Sequence, residues 1–386
     1  MEAQVKAALA SGDYQQVSQL LKQWQASDSK NPLLRLYAAR LQEQTNRLEA
    51  AEKTYLKLLK QMPGGKIMAQ ARAGIQRIQH RQKVQKAEAL AQSRQIAGGD
   101  EVAILAIAAP PTSGSASGST SGSTSGPDLD RQKAIAGIAQ VFNLDPYTAR
   151  LKLPPSGFRI HRIGPWGEIN YYNQALNQAH TPTLSAKVKD IKALQTFQIS
   201  HFETLKRQPS VLCKNSASQL GKISFDWAEV SQLVSGQLPI FEQVVDIGNW
   251  GKTVHKEKVQ DYVQVVDLHL KGREIVLRLC SSLYQYQKGT ALTEHTADLP
   301  QINSRIQWNQ LLAQLAQSIS APHHNDFTRF GKAALEFIPL LPPFSSNLDL
   351  DRRAPSHWDQ AFHLYSTLCY LNDQKAKDSK IANIHI

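Results

Sequence analysis

Apolar residues in the first 95 positions recur at intervals of three and four, which is the spacing of amphipathic helices. Val17, Leu20, Leu21 and Trp24 form one such stripe, and the Asn31-Pro32 pair marks the start of the next helix. Pro63-Gly64-Gly65 ends a later one. The predicted helices cover about 2–10, 13–26, 33–44, 47–61 and 66–95.

The second and fourth of these helices carry the same pattern, and Gly12 aligns with Asn46 just before each of them. The aligned apolar pairs are Val17 with Ala51, Leu21 with Tyr55 and Trp24 with Leu58. A period of about 34 residues is typical of helix–turn–helix solenoids. Such repeats stack into surfaces that bind other proteins.

Residues 96–130 differ in composition from what precedes them. Val102–Ala109 is a short apolar run, which predicts a buried strand belonging to the following domain. The sequence PPTSGSASGSTSGSTSGP then follows, and a Ser/Gly/Thr-rich segment of this kind behaves as a flexible coil. We therefore predict a linker over 96–130.

The remaining chain mixes helical and extended patterns. Residues 131–250 predict a small α+β domain, with a strand at Phe158–Ile163 and extended sequence over Val188–Phe202. Residues 251–386 predict an antiparallel hairpin followed by helices, packed with 131–250; Lys271-Gly272-Arg273 is the hairpin turn. The predicted fold class is a multidomain protein, with an all-α helical-repeat N-terminal domain (1–95) and an α+β C-terminal body.

The overall composition is that of a globular protein, and its net positive charge is concentrated in the first 100 residues. The chain has a formal net charge of +12, while residues 1–100 contain 16 Lys or Arg and 8 Asp or Glu. Such a field attracts acidic proteins, anionic lipid or nucleic acid. No apolar run is long enough to span a membrane, and the three cysteines are far apart in the sequence. A cytoplasmic protein with reduced thiols is expected.

The N-terminal motifs resemble those of the tetratricopeptide repeat family over about residues 8–65. The matching positions are Gly12-Asp13-Tyr14, Asn31-Pro32, the run Arg47–Ala51, and Pro63. This resemblance implies a helical docking module for another protein. We expect its contacts on the concave helix faces and on the basic fifth helix, at Tyr14, Gln15, Arg40, Arg47, Arg77 and Arg81.

The rest of the chain resembles the C-terminal part of uncharacterised repeat proteins of cyanobacteria. The residues that carry this resemblance are Gly164–Glu168, Asp267–Leu270 and Trp358–Phe362. It implies a cyanobacterial cytoplasmic protein and transfers no activity.

Two groups of polar residues in the body are candidates for chemistry. Asp267 and His269 alternate on a predicted strand and suit a metal or a catalytic base, but the apolar Val266 and Leu268 between them predict that both polar side chains face solvent. Basic residues that suit an anionic ligand lie elsewhere. They are Arg150, Arg159, His161 and Arg162.

No nucleophile elbow or phosphate-binding loop occurs in the chain, so no catalytic residue, metal or cofactor is predicted. The predicted function is a non-enzymatic protein–protein adaptor or assembly factor. One alternative is binding of nucleic acid or an anionic surface through the basic helix, and another is a sensor of a small anionic ligand in the α+β body. A homo-oligomer is also compatible with this sequence.

Overall fold

The computed structural model describes residues 1–61, 65–110, 127–247, 253–290, 304–350, 352 and 356–384. These residues form two compact units. The first is Met1–Gln92, called here the helical unit, and the second is Ser93–Ile386, called the body. The units are described separately below.

The helical unit is built from helices at the predicted 34-residue period. The helices are α1 (Glu2–Ser11), α2 (Tyr14–Ser27), α3 (Pro32–Gln44), α4 (Leu48–Gln61) and α5 (Lys66–Arg94), whose last residues lie in the body. Helices α2 and α4 begin 34 positions apart and also end 34 positions apart. The helical repeat predicted from the sequence is therefore confirmed.

The turns before α2 and α4 are also equivalent. Gly12 has a φ of 77° and Asn46 has a φ of 60°, so both take the left-handed conformation that these two residue types tolerate best. Asp13 then caps α2 by accepting a hydrogen bond of 2.9 Å from the Gln16 amide. Asn31 does the same for α3, where Pro32 occupies the first turn.

The repeated apolar positions form the core of the helical unit. Val17, Leu21 and Trp24 are buried in one cluster with residues of α1 and α3. Their equivalents Ala51, Tyr55 and Leu58 are buried in a second cluster with residues of α3 and α5. Each stripe is buried against the following helix, which is how a solenoid shares its core between neighbours.

The body contains the remaining helices and all the strands that the structure describes. The helices are α6 (Pro127–Phe142), α7 (Pro146–Lys152), α8 (Trp166–Gln178), α9 (Val188–Ala193), α10 (Ser304–Ser318), α11 (Phe327–Ala334) and α12 (His357–Ile384). The strands are β1 (Val102–Ala108), β2 (Phe158–Pro165), β3 (Thr183–Lys187), β4 (Gln195–Thr204), β5 (Ser210–Lys214), β6 (Leu220–Ser224), β7 (Val230–Ile247), β8 (Thr253–Leu270), β9 (Ile275–Cys280) and β10 (His323–His324).

These strands form two sheets. The smaller is antiparallel with the order β2-β1-β3, and Ala103–Ile107 of its central strand are fully buried. The larger has the order β10-β7-β8-β9-β4-β5-β6, with parallel pairing at β10–β7 and β9–β4. The predicted hairpin is confirmed as β8–β9, and the α plus α+β fold class is confirmed as well.

Helices cover both faces of the larger sheet. On one face, Val234, Leu238 and Val265 pack with α11 and α12. On the other face, Leu233, Val266 and Leu268 pack with α10. The end of β8 from Val263 to Leu270 and the part of β7 paired with it are therefore covered on both sides, whereas Val245, Val259 and Tyr262 farther along these strands are exposed.

The prediction that Asp267 and His269 face solvent is wrong. Both side chains are fully buried, on the face of β8 that α12 covers. The alternation of polar and apolar residues misled because each polar side chain has an internal partner. Asp267 pairs with Arg278 of β9, and His269 Nε2 lies 2.8 Å from Ser366 Oγ of α12.

The prediction of extended sequence throughout Val188–Phe202 is wrong in its first part. Residues Val188–Ala193 form α9, and strand β4 begins only at Gln195. Val188 and Ile191 are buried together in the core at a helical spacing, which outweighs the strand preference of β-branched side chains.

Three further sequence predictions concern the linker, the cysteines and membrane-spanning segments. Of the linker predicted over 96–130, residues 111–126, which make up most of its Ser/Gly/Thr-rich part, lie outside the described residues. The three cysteines are buried free thiols. No helix in the described ranges is long and apolar enough to cross a membrane.

Candidate protein-binding site

A groove of about 780 Å³ lies in the helical unit between the end of α3 and the middle of α5. Glu43 and Gln44 of α3 form one side, and residues of α5 at helical spacing form the other. The α5 residues are Ala73, Gln76, Arg77, Ile78, His80, Arg81, Val84 and Gln85. The groove thus combines apolar, amide and basic groups, which is a composition that suits a peptide segment.

A buried carboxylate organises the floor of this groove. Glu43 accepts hydrogen bonds from Arg77 Nε at 2.8 Å and from Arg77 Nη2 at 2.9 Å. It also accepts one of 2.9 Å from the buried Tyr55 hydroxyl. The two parallel bonds to Arg77 fix the position of α5 relative to α3.

The charge of Glu43 follows from these contacts. Burial raises the pKa of its carboxyl, but hydrogen bonds from Arg77 and Tyr55 act in the opposite direction and the net pKa is lowered. Burial and the same bond to Glu43 raise the pKa of Tyr55. Glu43 is therefore an anion at neutral pH and Tyr55 is a neutral donor.

The approach of α5 to α4 depends on Gly74. A Cβ atom at this position would lie 2.5 Å from Cζ of Tyr55, far inside van der Waals contact. The glycine lets the backbone of α5 lie against the Tyr55 ring, and the ring then places its hydroxyl at Glu43.

We expect Glu43→Ala to lower the unfolding free energy of the helical unit by about 1–3 kcal/mol, because the buried Tyr55 hydroxyl loses its acceptor. Hydrogen–deuterium exchange of α3 to α5 in the full-length chain measures this loss. Glu49→Ala, at an exposed position in α4, is the control and should leave exchange unchanged. Equal effects of the two variants would contradict the assigned role of Glu43.

The upper part of the groove offers groups for a ligand. Arg81 is exposed and forms no ion pair with any described residue, and Val84 is 40% exposed one helical turn away. Arg77 is different, because Glu43 already neutralises it. The available positive charge of the groove is therefore that of Arg81.

The docking residues predicted from the sequence occupy different parts of the helical unit. Arg77 and Arg81 both line the groove, whereas Tyr14, Gln15, Arg40 and Arg47 are not among its lining residues. Tyr14 and Gln15 lie on α2 and Arg47 directly precedes α4, and all three are exposed. Arg40 lies on α3 outside the groove, with its guanidinium 5.8 Å from the centre of the Tyr37 ring.

Glu43 was missed by the sequence reasoning. A lone acid at the polar end of α3 resembles an ordinary exposed residue, so its burial was not foreseen. A signal was nevertheless present, since Glu43 and Arg77 stand 34 positions apart, at the period of the repeat itself.

The candidate anion-binding residues lie in the body. The Arg162 guanidinium binds Glu168 at 2.5 Å and lies 5.0 Å from the centre of the Tyr172 ring. His161 packs on Phe142 with ring centroids 4.4 Å apart. Burial, together with the nearby cations Lys152, Arg162 and Arg159, lowers the His161 pKa to about 4.

These contacts limit what the body residues offer to an anion. His161 is uncharged at neutral pH and Arg162 is paired with a carboxylate, while Arg150 and Arg159 are exposed. Among the described residues, no group of three or more His, Cys, Asp or Glu side chains is placed to hold a metal ion.

Comparison with known proteins gives one match. Residues 8–75 match the family model of the tetratricopeptide repeat, which extends from α1 into the first third of α5. No significant match was found among curated proteins or solved structures. Since the matched region contains α2 to α4 with their 34-residue period, residues 8–75 are a tetratricopeptide repeat region, a module for protein–protein interaction.

Proposed function

We propose that this chain is a non-enzymatic adaptor or assembly factor whose helical unit holds an acidic, partly apolar segment of another protein in the α3–α5 groove. The observation that carries the proposal is the adjacency of Arg81, which has no ion pair among the described residues, and the exposed Val84 in that groove. A carboxylate of the segment would bind Arg81, and an apolar side chain would pack on Val84.

The charge distribution supports an acidic segment over a neutral one. Arg72, Lys83 and Lys86 of α5 add to the field of Arg81, while Glu88 is the one acidic residue of this helix. Like charges spaced along one helix raise the local concentration of an acidic partner and its rate of association. The Glu43–Arg77 pair joins α3 to α5 before binding, which lowers the ordering cost of association.

We expect Arg81→Glu to weaken binding of acidic peptides to the full-length chain at least tenfold, because the ion pair in the groove is replaced by repulsion. The measurement is fluorescence anisotropy with a library of peptides that combine Asp or Glu with Leu or Phe. Each peptide is paired with a version in which every acid is an amide.

Arg72→Glu is the matched control, since it makes the same charge change at an exposed site of the same helix outside the groove. A site-specific interaction predicts a much smaller effect for this variant. The proposal fails if both variants weaken binding equally, or if the amide peptides bind as tightly as the acidic ones. Tighter binding of single-stranded nucleic acid, with the same loss in both variants, would favour a nucleic-acid binder.

A further inference from the structure

The body contains a cavity of about 540 Å³, open to solvent on one side, that is separate from every site discussed so far. It lies between α10 and the face of β7 and β8 that α10 covers, and the β10 segment with the start of α11 closes one end. Its volume falls within the range of about 300–1,000 Å³ that is usual for small-molecule sites.

The walls of the cavity are mainly aliphatic. Leu233 and Val266 contribute the sheet side, and Leu312, Leu315 and Ala316 contribute the helix side. Leu233, Val266 and Leu315 are buried, so the floor of the cavity belongs to the packed core. The exposed lining residues form its rim, and they are Gln237, Ala316, His323, Asn325 and Thr328. An apolar ligand would therefore remove both its own surface and that of the walls from water.

Six of the described lining residues are polar: Ser235, Gln237, Gln264, His323, Asn325 and Thr328. At one end, Ser235 Oγ and His323 Nε2 are 2.8 Å apart. On the sheet side, the Gln264 Oε1 atom accepts a hydrogen bond of 2.5 Å from the Trp308 indole. This bond fixes the orientation of the Gln264 amide and leaves its NH2 group, which has no partner among the described residues, as a donor.

The charge of the cavity is the property that selects a ligand. None of the described lining residues is Lys, Arg, Asp or Glu. Burial lowers the pKa of His323, so its imidazole is neutral at physiological pH. An ionised ligand would lose part of its hydration against the buried floor and gain no opposite charge, whereas a neutral ligand incurs no such penalty.

We propose that this cavity binds an uncharged, largely apolar small molecule with a carbonyl-type acceptor, which accepts a hydrogen bond from the Gln264 amide. This site differs in place and in charge preference from the exposed basic residues around His161. It is also independent of protein binding by the helical unit, so either proposal can fail alone.

The test compares two probes of the same shape, 2-naphthamide and 2-naphthoate, against the full-length chain by ligand-observed NMR. The amide is neutral and carries the required carbonyl, and the carboxylate differs from it by the charge. We expect saturation transfer and a measurable dissociation constant for the amide, with affinity at least tenfold weaker for the carboxylate. Equal affinity of the two probes, or no binding of the amide up to its solubility limit, would overturn the proposal.

A cavity-filling variant locates the binding. Ala316→Trp projects an indole into the cavity from α10 and should weaken binding of 2-naphthamide at least tenfold. Ala313→Trp makes the same change at an exposed position of the same helix outside the cavity, and should leave binding unchanged. Unchanged binding in Ala316→Trp places the probe elsewhere and refutes the site.

A second measurement uses the unmodified chain, so it does not require that either tryptophan variant folds. A diazirine derivative of 2-naphthamide, photolysed with the unmodified chain, should label peptides from α10 and from β7 or β8. Competition by excess 2-naphthamide should remove that labelling. Labelling confined to other segments would refute the site even if both tryptophan variants proved unstable.

Discussion

Arg278→Met is expected to lower the free energy of unfolding of the body by about 3–5 kcal/mol, because it leaves the Asp267 carboxylate buried without a counter-charge. Both side chains are fully buried, and Arg278 donates to Asp267 from Nε at 2.8 Å and from Nη2 at 2.6 Å. The guanidinium also donates to the Ser346 carbonyl and lies 5.1 Å from the centre of the Phe362 ring. Urea unfolding of the full-length chain measures the loss.

Two further variants separate a buried ion pair from the loss of a long side chain. Arg273→Met removes an exposed pair with Glu229 at the turn before β9, and exposed pairs contribute about 1 kcal/mol or less. The double variant Asp267→Leu with Arg278→Met removes both buried charges and should recover most of the stability. If Arg278→Met costs no more than Arg273→Met, the carboxylate is not held buried as the structure shows.

As the pH is lowered, the body is expected to lose stability at pH values above those at which its carboxylates become protonated. His269 and His363 are buried, and burial lowers their pKa values to about 4 and about 3. The pKa of each imidazole is thus below its unfolded value of 6.5, so the unfolded chain takes up protons that the folded body does not. The contribution of these two histidines to the free energy of unfolding is fully present above pH 6.5. It is lost progressively as the pH falls from 6.5 to their pKa values in the folded body.

His269 and His363 set the minimum size of this effect, and the partly buried His161, whose pKa is also lowered to about 4, adds to it. Moving from pH 7.5 to pH 5 should remove at least roughly 4 kcal/mol of the free energy of unfolding, because each of the two fully buried imidazoles contributes about 1.4 kcal/mol for every pH unit below 6.5. Urea unfolding at the two pH values gives the difference directly. A drop of less than 1 kcal/mol would show that these side chains are protonated in the folded chain.

Substitution assigns the pH dependence to residues. His363→Gln removes one titrating group and should reduce the stability lost between the two pH values by about 2 kcal/mol, whatever its effect at pH 7.5. His357→Gln is the control, since it removes an exposed histidine from the same helix. An equal slope in both variants would assign the acid sensitivity to other groups.

The sequence was sufficient to predict the helical unit because its signals are local. Leu21 and Tyr55 occupy equivalent positions at a fixed period, and Asp13 and Asn31 cap helices through hydrogen bonds two or three residues away. The β8–β9 hairpin was predictable for the same reason, since its strands are separated by one short turn. The family match to residues 8–75 rests on the same short-range pattern.

The polar interior was not predictable, because its contacts join residues far apart in the chain. Asp267 looks like an outward-facing residue until α12, about a hundred positions later, covers that face of the sheet. The α10 cavity likewise brings Ser235 together with His323, and neither residue type is distinctive alone. A single sequence marks which strands are apolar, but it does not show which helix covers their polar positions.

The position of β1 determines what the Ser/Gly/Thr-rich segment connects. The boundary between the units lies at Gln92 and Ser93, within α5, whereas that segment follows β1 and therefore joins two parts of the body. Opening the chain between 111 and 126 would leave the tetratricopeptide region covalently joined to β1, and β1 would still be paired with β2 and β3. The segment is thus a natural place for new chain termini or for a split-protein pair in which the repeat-bearing fragment supplies the central strand.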